Sequence, residues 1–194
     1  FEFCSRYGID AVKTGYVRWG QGISRVDETG AVRKEWHHGQ YMVRHYQAVV
    51  EEAARHKVGI NVHEPIKDTG IRRTWPNMMS SEGARGMEYN AWGGNGGNPP
   101  EHETILPFTR LLSGPMDFTP GIFGLLFGDI RPANRVNTTL AKQLALYVVI
   151  YSPLQMAADL PGNYDNNLAA FRFIEDVPVD WQDTKVLHAK IGDY

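Results

Sequence analysis

Residues 59–66 read GINVHEPI. Gly59 to Val62 have the apolar character of a buried strand, and then His63, Glu64 and Pro65 end it. A core does not accept an unpaired charge, because removing a carboxylate from water costs far more than burial of its methylenes returns. A strand that carries a histidine and a carboxylate to its C-terminal end and stops at proline is shaped to present them.

The flanking sequence supplies the frame. GIDAVKTGYV (8–17) reads as a short apolar strand after a glycine turn. FEFCSRYGI before it reads as a helix end, and after the strand a polar, glycine-containing loop is expected to about Gly39. QYMVRHYQAVVEEAARH (40–56) is amphipathic. Tyr41, His45, Val49 and Ala53 fall four apart, as do Met42, Tyr46, Val50 and Ala54. Strand, helix, strand is a βαβ unit, and its two strands must pair in parallel.

Downstream the pattern loosens. ARGMEYNAW (84–92) is expected as a short strand or turn, GGNGGNPP (93–100) as a flexible loop and ETILPFTRLL (103–112) as helix. GPMDFTPG (114–121) reads as a strand end. TLAKQLALYVVIYS (139–152) reads as a helix with Leu140, Leu144, Tyr147, Val148 and Tyr151 inward. PLQMAAD (153–159) is a candidate last strand, and a helix followed by a linker is expected from Phe171. The fold class is therefore α/β. Loops after each strand favour part of a parallel (β/α)8 barrel, with an open doubly wound sheet as the alternative. No glycine-rich phosphate loop follows the first strand, which argues against a nucleotide site.

Composition narrows the function classes. The 194 residues carry a net charge of −2 with Lys and Arg scattered, so neither a nucleic-acid footprint nor membrane insertion is expected. The lone cysteine, Cys4, has no internal disulfide partner and reads as core. The chain begins at Phe1 and ends at HAKIGDY without terminating logic, so a piece of a longer protein is expected.

Residues 68–92 are dense in site chemistry. Arg72, Arg73 and Arg85 can hold oxygens, and Trp75, Tyr89 and Trp92 can offer faces to a sugar ring. With Glu64, the glutamates Glu82 and Glu88 give hard oxygen donors that suit Ca²⁺. Paired carboxylates also suit glycosidic cleavage, one as acid and one as base or nucleophile. The bland alternatives are that Glu82 caps a helix and Glu88 pairs with Arg85. His37 and His38 read as loop or cap residues, His102 as solvated loop, and Asp117 with Arg110 as an ion pair or a substrate contact.

KTGYV (13–17), EWHHGQYMV (35–43), NVHEPIKDTGIRRTWPN (61–77), SSEGARGMEYNAW (80–92) and LPFTRLLSGPMDFTPG (106–121) together resemble glycoside hydrolase family 97. The likeness is strongest to its inverting, calcium-dependent α-glucosidase branch. It implies that residues 1–175 are the C-terminal part of a (β/α)8 barrel, about strands 4–8. Residues 176–194 would then be a linker into a β-domain lying beyond this chain. It implies Glu88 as general acid, Glu64 as general base, His63 as a substrate contact, and Glu64, Glu82 and Glu88 as Ca²⁺ ligands. Oligosaccharide substrates of α-linked glucose and a periplasmic location follow from the same resemblance. Retaining members, which include α-galactosidases, carry an aspartate nucleophile where Gly15 stands here. Inversion is therefore expected, with the two carboxyls about 6.5–9.5 Å apart. Asp10, Asp27 and Asp117 are the residues that could restore a nucleophile. The alternatives are an α-galactosidase of the same family and a non-catalytic sugar-binding fragment, and the isolated 194 residues are expected to be inactive.

Overall fold

The computed structural model describes residues 1–15, 22–94 and 96–194. Tyr16 and Val17, at the end of the first expected strand, and Asn95 of the glycine loop lie outside the described residues. The chain divides into two units, Phe1–Gly83 and Ala84–Tyr194.

The first unit is the expected βαβ frame with additions. Helix α1 (Glu2–Arg6) leads into β1 (Ala11–Thr14). Strands β2 (Ile23–Val26) and β3 (Val32–Glu35) form an antiparallel hairpin, with Ile23 opposite Glu35 and Val26 opposite Val32. This corrects the loop expected up to Gly39. Asp27 builds the turn: its Oδ1 accepts the amides of Thr29 and Ala31, and its Oδ2 accepts Arg33 Nε at 2.7 Å. Arg25 pairs with Glu35 at 2.7 Å and lies over the Tyr41 ring at 4.3 Å.

Helix α2 (Gln40–Arg55) then crosses to β4 (Gly59–Val62), and β5 (Met78–Ser81) follows. Strands β1, β4 and β5 form a parallel three-stranded sheet with β4 central. Of the two helical stripes in the sequence, α2 buries Met42, Tyr46, Val50 and Ala53, while Tyr41 stays exposed. Met42, Tyr46, Ala53, Val58, Ile60 and Val62 make the core, and Cys4 packs partly buried against it. Strand β5 carries no apolar pattern that would announce it, because Ser80 and Ser81 are polar yet buried.

The second unit is helical. It holds α3 (Tyr89–Trp92), α4 (Glu101–Ile105), α5 (Leu140–Val149), α6 (Pro161–Asp165) and α7 (Leu168–Asp176). Two short 3₁₀ turns, Leu106–Phe108 and Arg110–Ser113, follow α4. Its core is Met87, Leu106, Met116, Phe118, Val136, Leu146 and Ile150.

Residues 84–92 hold a turn at Met87 and Glu88, one of the two readings expected there, followed by helix α3 and no strand. Other expectations are corrected. The segment 114–121 is irregular, buried from Met116 to Gly121, and joins no sheet among the described residues; Met116 N–H reaches Tyr151 O, and Met87 N–H reaches Phe118 O. Residues 153–159 form no strand either. The buried face of α5 is Gln143, Leu146, Tyr147 and Ile150, whereas Val148 and Tyr151 are exposed. Gln143 tolerates full burial because its Oε1 accepts the amides of Gly121 at 3.1 Å and Ile122 at 3.2 Å. The glycine loop is tied down: Asn134 donates to Asn90 O and Gly93 O, and Asn137 to Gly96 O and Asn98 O. Among the described residues, no helix is long and apolar enough to cross a membrane.

Candidate active site

The parallel register decides what the first unit gathers. Thr14 pairs with Val62 and Val62 with Ser81, so the three strands end level. The next residues are Gly15, then His63 and Glu64, then Glu82. The ladder runs on past them, with His63 N–H to Thr14 O at 2.7 Å and Glu82 N–H to Val62 O at 2.9 Å. Chemistry at the C-terminal edge of a parallel sheet is the usual arrangement in α/β enzymes.

Glu64 is held in an unusual conformation. Its φ is +43°, left-handed for a side-chain-bearing residue, and it precedes Pro65, a position that ordinarily favours extended backbone. Such a conformation costs about 1–3 kcal/mol and persists only where the surroundings fix it. Here Tyr46 Oη of α2 donates to Glu64 O at 2.6 Å, and Glu64 N–H donates to Glu82 Oε2 at 3.3 Å. His63, buried to 5% exposure, brings Nδ1 to 3.5 Å from the same Glu82 oxygen. A Cβ on Gly15 would stand 2.5 Å from Glu64 Oε2 and 3.3 Å from His63 Cβ. The absence of a side chain at 15 is what gives the Glu64 carboxyl its room. The structure thus brings together His63, Glu64 and Glu82, and the carboxylate oxygens of the two glutamates are hard donors of the kind Ca²⁺ takes.

Glu88 belongs to the second unit and stands at the start of α3, where its side chain caps no amide. Its Oε2 lies 3.3 Å from Thr119 Oγ1. A Cβ on Gly86 would stand 2.7 Å from that same oxygen and 3.3 Å from Phe118 O, so this carboxyl too folds back over a glycine. Arg85 turns instead to the Tyr89 ring at 4.7 Å, and Tyr89 meets Trp92 edge-on at 4.9 Å. Trp92 keeps 54% of its surface exposed, while Arg72 is engaged with Asp68.

The remaining candidates separate by position. Asp10 precedes β1, at the opposite edge of the sheet from Glu64, and Asp27 is spent in the hairpin turn. Asp117 is buried and accepts Thr119 N–H at 3.1 Å; Arg110 donates to Gly114 O and Pro115 O. His37 and His38 lie in the turn before α2. His102 is not solvated loop: it lies in α4 with Nε2 2.8 Å from Arg85 O, beside Glu103, which is buried and paired with Lys142 at 2.9 Å. Sequence reading passed over Tyr46, Gly86 and Thr119. Tyr46 reads as core from its helical spacing, and only adjacency to a Pro-Gly break marks Thr119.

Residues 1–84 match the sequence profile of glycoside hydrolase 97. The whole chain is similar to a solved family 97 enzyme from Pseudoalteromonas sp. strain K8 in complex with acarbose: 56% identity, 99% of this chain, 29% of that one, TM-score 0.90. The chain belongs to glycoside hydrolase family 97. A glutamine-for-glutamate variant of the same Pseudoalteromonas enzyme was solved with panose, at the same identity and TM-score. Over 159 residues the chain is 33% identical to a retaining alpha-galactosidase of Bacteroides thetaiotaomicron, covering 80% of this chain and 24% of that protein. The chain spans about a quarter of the length of these family 97 relatives.

Proposed function

We propose that this chain is part of the (β/α)8 catalytic barrel of a periplasmic enzyme that cleaves α-glucosidic bonds with inversion. The supporting observation is Gly15. Retaining members of the family are expected to carry their aspartate nucleophile at this strand end, and here the space is filled by the Glu64 carboxyl, 2.5 Å from where a Cβ would sit. A glycine cannot attack an anomeric carbon, whereas Glu64 can take a proton from water.

In this reading Glu88 gives its proton to the glycosidic oxygen as the bond to the anomeric carbon breaks. Glu64 takes a proton from a water whose oxygen bonds to that carbon from the other face. Exchange with solvent returns both carboxyls to their starting states. His63, fixed beside Glu82, contacts the sugar. Glu64, Glu82 and Glu88 would hold Ca²⁺, and their oxygen donors fit it. When bound, the ion supplies fixed positive charge beside the carboxylates. Acarbose and panose in the Pseudoalteromonas relative favour α-linked glucose as the substrate sugar.

A second reading, a retaining α-galactosidase, is favoured by the name of the Bacteroides relative. Proton NMR of the first-formed anomer, with aryl α-glucoside and α-galactoside on the intact protein, separates the two. A β-configured first product from the glucoside is expected. An α-configured product, or preference for the galactoside, would overturn the inverting glucosidase.

A further inference from the structure

We infer that Thr119 is the positioning residue for Glu88, which rests on the reading of Glu88 as the general acid. Thr119 is 8% exposed and holds φ at +54°, a left-handed conformation that β-branched residues avoid. Its surroundings impose it. Asp117, 2% exposed, accepts its amide at 3.1 Å, and two residues on Gln143 accepts the amide of Gly121 at 3.1 Å. Strain of this kind gathers where a side chain must be aimed.

The aim is at Glu88. Thr119 Oγ1 lies 2.7 Å from Phe118 O and 3.3 Å from Glu88 Oε2. A hydroxyl has one proton and two lone pairs. That proton can go to Phe118 O or to Glu88 Oε2, and the hydroxyl oxygen is held between the two acceptors. Either way the Glu88 carboxyl is seated against a fixed hydroxyl. The same Phe118 carbonyl accepts Met87 N–H at 3.1 Å, so the peptide that fixes the hydroxyl also fixes the residue before Glu88. Gly86 leaves no alternative packing, since a Cβ there would press on both Glu88 Oε2 and Phe118 O. One carbonyl, one hydroxyl and one glycine thus define where the acid's oxygen sits.

The test uses the intact protein and two substrates of its preferred sugar: an oligosaccharide, whose leaving group needs a proton, and the glycosyl fluoride, whose leaving group does not. Thr119→Val removes the hydroxyl and keeps the shape. It should lower kcat on the oligosaccharide by on the order of ten- to a hundredfold, with KM little changed and the fluoride turned over near the normal rate. Thr119→Ser should recover most of the loss. Equal slowing of both substrates would mean a merely structural threonine, and unchanged oligosaccharide turnover would mean no role; either overturns the inference. If Thr119→Val does not fold, Thr119→Ala is read by the same criterion. Glu88→Gln separates the two levels. Its collapse on the oligosaccharide with the fluoride spared upholds the acid, so that a failed Thr119 result counts against Thr119 alone. A harmless Glu88→Gln removes the acid reading and this inference with it.

Discussion

Tyr46 Oη donates to the carbonyl of Glu64 at 2.6 Å, tying the middle of α2 to the residue that leaves β4 with a positive φ. A core side chain on the helix thereby sets the backbone of the proposed base. Tyr46→Phe keeps the ring and removes the donor. Loss of one such bond costs about 1 kcal/mol, so a modest drop in thermal stability is expected. Glu64 should also relax from its strained conformation, lowering kcat by up to roughly tenfold. Unchanged kcat with lowered stability would show that Tyr46 is only core.

Gly15 gives the complementary prediction. Alanine there would place a methyl 2.5 Å from Glu64 Oε2 and push the carboxyl aside. Misplacing a catalytic group by about 1 Å costs on the order of a hundredfold, so Gly15→Ala should cut kcat/KM by that much. Gly15 is exposed, so the melting temperature should hardly move. Steady-state kinetics beside calorimetry checks both halves.

Removal of the proposed ion should be reversible and selective. Chelation is expected to depress activity and thermal stability together, because a ligand that binds only the folded state stabilises it in proportion to ln(1 + [L]/Kd). Ca²⁺ should restore both. Mg²⁺ should not, since it demands a smaller octahedral shell. Glu82→Gln should raise the Ca²⁺ concentration needed for half-restoration. Activity indifferent to chelation would remove the metal from the site.

The first unit was legible because its signals are unambiguous. A helix with two apolar stripes lies between short apolar runs, and strand–helix–strand allows one pairing. The hairpin was hidden because Ser24, Arg25, Arg33 and Lys34 make its strands polar, and Val26 and Val32 face solvent. In α5 the apolar count places Tyr147 inward, where it lies, but also Val148 and Tyr151, which are exposed. Gln143 occupies the middle of the buried face, satisfied by loop amides that no local pattern announces. Glu64 was visible as a strand-end glutamate, and Glu82 and Glu88 as acids in a stretch dense with site chemistry. What holds them was not: Tyr46 looked like packing, and Thr119 acts through a contact 31 residues away in sequence.

Asp159 offers a test of how the second unit holds its loop. Its Oδ2 accepts the amides of Phe123 at 2.6 Å and Gly124 at 2.7 Å, and its Oδ1 accepts Leu160 N–H and Asn163 Nδ2, both at 2.7 Å. Burial pushes its carboxyl up, but these donors outweigh burial and hold it below its ordinary value of 3.8. A carboxyl depressed in the folded state stabilises the fold above its unfolded value and loses that contribution as pH falls through the folded one. The stabilisation should thus be complete near neutrality and fade below about pH 4. Asp159→Ala should cost about 2 kcal/mol at pH 7 through the stranded amides, and less at pH 3. Hydrogen exchange at residues 123 and 124, followed at both pH values, reads the effect locally. Equal protection in wild type and variant at pH 7 would show that the loop is held by Gln143 and Tyr164 instead, through Gly121 and Ile122.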